Sequence, residues 1–595
     1  MEPFFKVPRF RGSFPNSVSS FSCGRMLGFL ALGVLILTPS LMNSAVAQYS
    51  ATSTAAPTDE NATGATATMD TALRVKTINS LVEKVWAEYE IKPSREATDG
   101  EWCRRVYLDI LGRIPKVSEV RAFISSSEDD KKLKLVESLL YDDEYTEEFA
   151  RNMTTVWTNL LIGRTGGNDN NSMINRSGMQ KFIRDSFARE KPYDKFVREL
   201  VTATGTTTPG DKDFNGATNY LIDKVNEENA SLATASTTKT FLGLQLQCTQ
   251  CHNHPFNEWK QQKYWEMNAF FRQARAFRGG MRARDGGVAR LADQDYAGEN
   301  RKTPDEAEIF FEMRNGKMAV AYPVFVDGTK IPRSGYVNVV NRREKLADLM
   351  IESPFFTRSI ANRTWAHFMG YGFTSPLDDL GPHNIPSNPE LLEFLSTQFR
   401  LVDFDLRQLI TWVALSRPYG LSSKRNSGNT QDDPLLGETP KFSHFYLRQM
   451  EAEQLYESFL VATETSQSQG SYEQQEALKN RWLGQFNQAF GTDEGAESTT
   501  FNGTIPQVLM LFNGDMVKQA TDTKKGGMID ALVSSGGKYS KSVEHLFMTG
   551  LSRKPSGKEK DLAKKFLAAR NGDMKEALRD VWWVILNTNE FIFNH

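Results

Sequence analysis

Cysteine placement constrains this 595-residue chain more than any other feature. Cysteine occurs four times, at Cys23, Cys103, Cys248 and Cys251, too rarely to hold so long a chain by cross-links. The fold must rest on apolar burial, and a 39% hydrophobic composition supplies ample material. Two of the four cysteines share one pentapeptide, Cys248-Thr249-Gln250-Cys251-His252. Thiols at this spacing reach two vinyl groups on one porphyrin edge, and the next residue's imidazole falls under the iron. The pentapeptide therefore reads as a c-type haem attachment site with His252 as proximal iron ligand. Two alternatives stay open. Cys248, Cys251, His252 and His254 hold enough thiolate and imidazole for zinc, although four ligands so close in sequence strain a tetrahedral site. A cofactor-free disulfide between the two thiols suits an oxidising compartment.

The N-terminus points to such a compartment. Lys6, Arg9, Arg11 and Arg25 precede the apolar run Leu27–Leu37, and Pro39 then Ala45-Val46-Ala47 follow. A basic region, a short apolar core and small residues at a cleavage point read as a secretory signal, residues 1–47, cleaved after Ala47. The core is too short to span a bilayer comfortably, and no later stretch does better, so no stable membrane span is expected after cleavage. Loss of Lys6, Arg9, Arg11, Arg25 and Glu2 takes the net charge from −2 to −5. With both signs interspersed, that charge excludes a nucleic-acid footprint. The expected location is the periplasm or outside the cell.

Residues 48–72 are rich in Ala, Thr, Ser and Gly and read as a linker too polar to offset its ordering entropy. The fold class is mainly α and multi-domain. A helical region over 73–277 holds the pentapeptide, 278–342 forms a connector, and a second helical region runs over 343–595. Within the first, Cys103–Leu108 enters a helix ended by Gly112 and Pro115. Ser118-Glu119 opens another, Lys131–Leu140 is amphipathic, and Lys191-Pro192 divides two more. In the connector, Gly279-Gly280 and Gly286-Gly287 mark a mobile loop. Glu308–Met313 and Met318–Val326 flank Asn315-Gly316, a hairpin signal. The second region shows helices over Arg343–Ser353, Phe356–Phe368 and Pro389–Phe399, one capped by Asp405, and a closing one over Asp580–Phe593. The polar stretch 466–498 reads as partly mobile.

Other residues attract attention around the pentapeptide. His254 precedes Pro255 and suits a second-shell donor, a turn residue or the alternative zinc ligand. Asn257 suits a cap for a following helix whose Trp259, Trp265, Phe270 and Phe271 are either ordinary core or a wall for a macrocycle. The distal iron ligand is not evident. Met267, Met281, Met313 and Met318 are candidates, as is His367, a polar group on an otherwise apolar helix; a five-coordinate iron is the further option. Asp378-Asp379 beside Gly381-Pro382-His383 reads as a polar turn or a hard-cation site. Arg104-Arg105 with Asp109 reads as an ion-pair cluster, and Cys103 as a small buried residue. Metalloprotease, serine hydrolase and P-loop motifs are absent from the sequence.

Longer blocks add a resemblance. Phe241–Gln247 running into Cys248–Phe256, Cys103–Pro115 and Lys191–Leu200 resemble the first domain of a planctomycete cytochrome-c-like secreted family that pairs two domains of unknown function. Asn362–Gly372, Pro389–Leu392, Phe404–Leu406 and Leu586–Phe591 resemble the partner domain. The likeness covers most of the chain beyond residue 75 and departs at 278–300, at 466–498 and at Cys103. It implies a secreted, haem-bearing protein, and the haem reading of Cys248, Cys251 and His252 adds the expectation of a periplasmic redox role with an electron-transfer partner. It attaches no reaction, so whether the chain is an enzyme is left open. A non-catalytic envelope scaffold, with the pentapeptide as a zinc or disulfide staple, is the competing function.

Overall fold

The computed structural model describes residues 70–167, 171–226, 229–254, 258–278, 289–299, 303–463, 471–490, 521 and 527–595. The expected signal, nearly all of the linker, the paired glycines of the connector loop, Met281 and the Asn257 cap lie outside these residues. Helices carry the architecture, as the periodicity predicts. The first run is α1 (Thr71–Glu88), α2 (Asp99–Leu111), α3 (Val117–Ser125), α4 (Lys131–Tyr141), α5 (Asp143–Ile162), α6 (Arg176–Ala188), α7 (Tyr193–Thr202), α8 (Ser231–Leu242) and α9 (Gln261–Asn268). The second is α10 (Arg342–Glu352), α11 (Pro354–Met369), α12 (Pro389–Leu401), α13 (Leu406–Ala414), α14 (Ala452–Ala462) and α15 (Tyr472–Phe490). The last is α16 (Met528–Ser534), α17 (Tyr539–Leu551), α18 (Gly557–Ala569), α19 (Met574–Leu586) and α20 (Asn589–Ile592). Among the described residues no helix is long and apolar enough to cross a membrane.

Local chemistry sets these boundaries. Thr98 and Glu101 form a reciprocal capping box at the start of α2, with Thr98 N–H donating to Glu101 Oε2 at 2.8 Å. Gly112 ends the same helix at φ +72°, and a Cβ there would lie 2.4 Å from Asn152 Oδ1, so both conformation and space require glycine. Asp405 caps α13 as expected, its Oδ1 accepting from Arg407 N at 2.9 Å and Gln408 N at 3.3 Å.

Strand content exceeds the single hairpin expected. The expected hairpin forms, with Ile309–Glu312 (β4) antiparallel to Met318–Ala321 (β5) and Ile309 opposite Ala321. It stops short of Val326 because Pro323 follows and cannot donate to the ladder. Two other sheets correct the sequence reading. Ala274–Arg278 (β2) pairs with Ala289–Asp293 (β3), and Gly205–Thr206 (β1) adds to the far side of β3. Arg448–Gln449 (β6) pairs with Phe593–Asn594 (β7). Helix α15 occupies the part of 466–498 that is described.

One apolar core takes Trp102, Trp157, Phe196 and Phe241 from the first half and Phe356, Trp365, Phe399 and Trp412 from the second. A second cluster gathers Leu455, Phe459, Leu546, Trp582 and Phe591 about Leu108 and Ile114. Each such side chain contributes roughly 1.5–3 kcal/mol of transfer free energy on burial. Helix α2 is the wall between them: Cys103, Val106 and Ile110 face the first cluster and Leu108 the second. It is buried from Trp102 to Leu111, including Arg104, Arg105 and Asp109. The expected ion-pair cluster is wired differently from the sequence reading. Arg104 donates to Gly550 O and Phe591 O at 2.7 Å each, and Arg105 lies 3.6 Å from the Phe445 ring centroid and donates to Tyr419 O. Asp109 instead pairs with Arg448, and accepts from Tyr419 Oη at 2.7 Å and Asn594 Nδ2 at 2.8 Å. Burial lowers both arginine pKa values to about 10 and raises that of Asp109.

Candidate functional site

Helix α8 ends at Gly243, and the chain turns through a short 3₁₀ helix, Leu246–Thr249, into the pentapeptide. Thr249 points inward, fully buried, its hydroxyl donating to Leu246 O at 2.7 Å. Gln250 continues the helical turn with φ −58° and ψ −42°. Side chains three apart in such a turn share a face, so Cys248 and Cys251 project together. Both are exposed free thiols, the state that thioether formation requires.

Helix α9 pins the loop from behind. Gln261 Nε2 and Trp265 Nε1 both donate to Gln250 O at 3.1 Å, and Gln261 N–H donates to Asn253 Oδ1 at 3.0 Å. His252 Nδ1 lies 2.7 Å from Asn253 O. A carbonyl only accepts, so Nδ1 carries a proton there and Nε2 is the nitrogen left to face a metal, the orientation an iron-ligating imidazole needs. His254 N–H closes the loop onto Trp259 O at 2.9 Å. Residues Trp259, Gln262 and Lys263 with Pro382 line a surface groove of about 340 Å³ beside it.

The structure also brings in a residue that the sequence reading left in a turn. The His383 ring centroid lies 5.9 Å from that of His254, and its Nε2 is 2.9 Å from Asp379 Oδ2. Leu380 N–H donates to Gly243 O at 2.8 Å, which seats the 378–384 loop on the segment leading into the pentapeptide. Burial lowers the His254 pKa, with the neighbouring His383 and His252 adding to the effect and Asp379 opposing it. The only advance signal was the spacing Asp379-x-x-x-His383 around Gly381-Pro382. The hard-cation reading of Asp378-Asp379 is corrected here. Asp378 is taken by Arg363 at 2.6 Å and Lys239 at 3.4 Å, and Asp379 by His383.

His367 is placed elsewhere. It is half-buried, its Nε2 lies 3.1 Å from Asp109 O, and desolvation lowers its pKa. Ser359, which reaches Thr240 O at 3.3 Å, is eight residues earlier on α11, about 12 Å along the axis. The distal-ligand expectation for His367 gives way to a structural role at the end of α2. Met267 is fully buried in the core, whereas Met313 and Met318 are 40% and 63% exposed. The hairpin bearing those two adjoins the loop through Gln261 Nε2, which donates to Glu312 O at 2.9 Å. Trp265 stacks on Phe311 at 5.7 Å, and Phe270 and Phe271 are fully buried, so the aromatic face is core. Trp259 precedes α9 rather than lying on it. Cys103 is buried, and burial raises its thiol pKa. Among the described residues, no three His, Cys, Asp or Glu side chains gather as a metal-holding group.

Comparison with known proteins agrees with the pairing of two domains. Residues 77–276 match the family described as PSCyt2, a protein of unknown function (DUF1549), and residues 342–567 match PSD1, a protein of unknown function (DUF1553). No curated protein and no solved structure matches. The pentapeptide and His254 fall in the first matched segment and His383 in the second, and the chain thus carries a DUF1549 domain followed by a DUF1553 domain.

Proposed function

We propose that this chain is an exported c-type haem-binding redox protein that exchanges electrons with a periplasmic partner. One observation carries the reading: two free thiols share an exposed face, beside an imidazole whose Nδ1 faces a carbonyl. Cys248 and Cys251 would hold the porphyrin through thioether bonds, and His252 Nε2 would ligate the iron. The donor set fits the group in number, order and orientation. Bound haem supplies one-electron chemistry at a potential set by axial ligation, hydrogen bonding and burial. The protein holds the ligands still: Gln261 and Trp265 fix Gln250, and Asn253 serves both α9 and His252. Attachment at a surface loop leaves the porphyrin edge open to a docking partner.

The export signal at residues 1–47 belongs to the same reading, since thioether attachment of this kind takes place outside the cytoplasm. The test is a haem-stained denaturing gel of full-length protein matured in a periplasm that attaches c-type haem. A stained band that disappears in Cys248→Ser/Cys251→Ser is expected. An unstained band with one equivalent of zinc by elemental analysis, or with neither metal, refutes the reading and leaves a zinc or disulfide staple.

A further inference from the structure

We infer that one helical unit occurs twice in this chain, and that the two copies are each other's docking partner where the halves meet. The first copy runs from α2 to the start of α5. The second runs from α17 to α20 and straddles the end of the DUF1553 segment. Leu111-Gly112-Arg113-Ile114-Pro115 leads to Glu119, and Leu551-Ser552-Arg553-Lys554-Pro555 leads to Glu559 at the same spacing. Each run closes a 13-residue helix through a left-handed residue, Gly112 at φ +72° and Ser552 at φ +53°. Side chains disfavour that conformation, so at Ser552 the turn overrides the residue. The next helix then opens on a matching cap. Lys116 N–H donates to Glu119 Oε2, and Ser556 N–H to Glu559 Oε2, at 2.6 Å each.

A left-handed stop, a proline and such a cap recur at many helix ends. The rest of the likeness does not belong to that motif. Arg113 Nη1 and Nη2 reach Glu119 at 2.9 and 3.0 Å, and those of Arg553 reach Glu559 at 2.9 and 2.8 Å. Each guanidinium also donates to the next residue's carbonyl, Ile114 O at 3.1 Å and Lys554 O at 3.2 Å. Each lies over an aromatic ring of the preceding helix, Tyr107 at 5.2 Å and Phe547 at 5.5 Å. Each Nε then takes a second carboxylate from the fourth helix, Glu148 and Glu590 at 2.5 Å. A buried phenylalanine follows both, Phe149 and Phe591. One guanidinium thus ties a turn to two further helices, and the chain does this twice.

The copies meet at these same parts. Arg104 of α2 donates to Gly550 O and Phe591 O of the second copy. Gly100 passes so close that a Cβ there would lie 2.1 Å from Ser552 O, and α3 lies against α17. The face that α2 and α3 present to the second copy fits its left-handed turn, and this pairing joins the DUF1549 domain to the last helices of the chain.

Matched substitutions in full-length protein test this by urea unfolding. Arg113→Met, Glu119→Gln and Glu148→Gln are compared with Arg553→Met, Glu559→Gln and Glu590→Gln. The arginine change is expected to lower the midpoint most in both sets. The loss should be larger in the first copy, where the Arg113 side chain is 4% exposed against 31% for Arg553. Glu148→Gln, at a side chain 32% exposed, covers the case in which Arg113→Met does not fold. Ser552→Gly installs the first copy's residue and is expected to raise the midpoint. It relieves the left-handed strain and removes a buried hydroxyl without a hydrogen-bond partner. Gly100→Ala is expected to lower it by forcing the copies apart. A neutral change at either arginine, at Glu148 or at Glu590, or a lowered midpoint in Ser552→Gly, overturns the shared unit. A neutral Gly100→Ala overturns the pairing.

Discussion

Truncating Asp109 to alanine should destabilise the protein by about 3–5 kcal/mol, the range for removing one partner of a buried charge pair. The side chain is fully buried. Its loss strands three donors at once: Arg448, 19% exposed, the Tyr419 hydroxyl and the Asn594 amide. Each unsatisfied neutral donor costs roughly 1–3 kcal/mol. Part of that is offset because the carboxylate no longer pays the desolvation that raises its pKa. With a urea dependence of about 3 kcal/mol per molar, the midpoint should fall by about 1–1.7 M, followed by tryptophan fluorescence and circular dichroism together. Asp109→Asn keeps an acceptor for Tyr419 but removes the charge facing Arg448, and should fall between the two. A midpoint shift for Asp109→Ala below about 0.3 M, roughly 1 kcal/mol at that slope, would refute the reasoning that this carboxylate organises the junction of α2 with β6 and β7.

Two further outcomes follow. Asn253→Ala removes the acceptor for Gln261 N–H, so it should cost about 1 kcal/mol as a lost hydrogen bond and lower the yield of covalent haem, measured as the ratio of haem absorbance to protein. Arg553→Met removes the guanidinium that holds the Glu559 carboxyl down at about 2. The stabilisation from that lowered pKa is present above the ordinary carboxylate range and is lost as pH falls toward 2. The variant should therefore lose about 1–2 kcal/mol near neutral pH after solvent screening, and its stability should change less between pH 4.5 and 2. An unchanged Glu559 titration by NMR in the variant counts against the pairing.

Much of the helical framework was legible because burial imposes a period on sequence. Lys131–Leu140 became α4 with one residue added, and the Asp405 cap and Gly112 stop are where side-chain chemistry puts them. Strands β2 and β3 were not legible. Their Ala- and Arg-rich sequences lack the β-branched alternation that marks a strand, and only pairing makes them one. Charge partners escaped for a related reason. Asp109 looks local to Arg104 and Arg105, yet its partner Arg448 is brought in by a strand that pairs with the end of the described chain. His367 and His383 show the same limit in opposite directions. A polar residue on an apolar helix drew attention, but its ring is satisfied by a carbonyl of α2. His383 was read only as the neighbour of a polar turn, and the docking of Leu380 on Gly243 carries it to the side of His254.

Because α2 is covered by helices from the first matched segment, by Arg448 and Gly550 from the second, and by Phe591 and Asn594 beyond it, neither half can be excised without stripping the other. A fragment ending before residue 342 would leave Tyr193 without Phe356 and Phe399, whose rings pack against it, and a sticky surface of that kind invites aggregation. The two segments thus share one folding unit, and substitutions along α2 must satisfy both sets of neighbours at once.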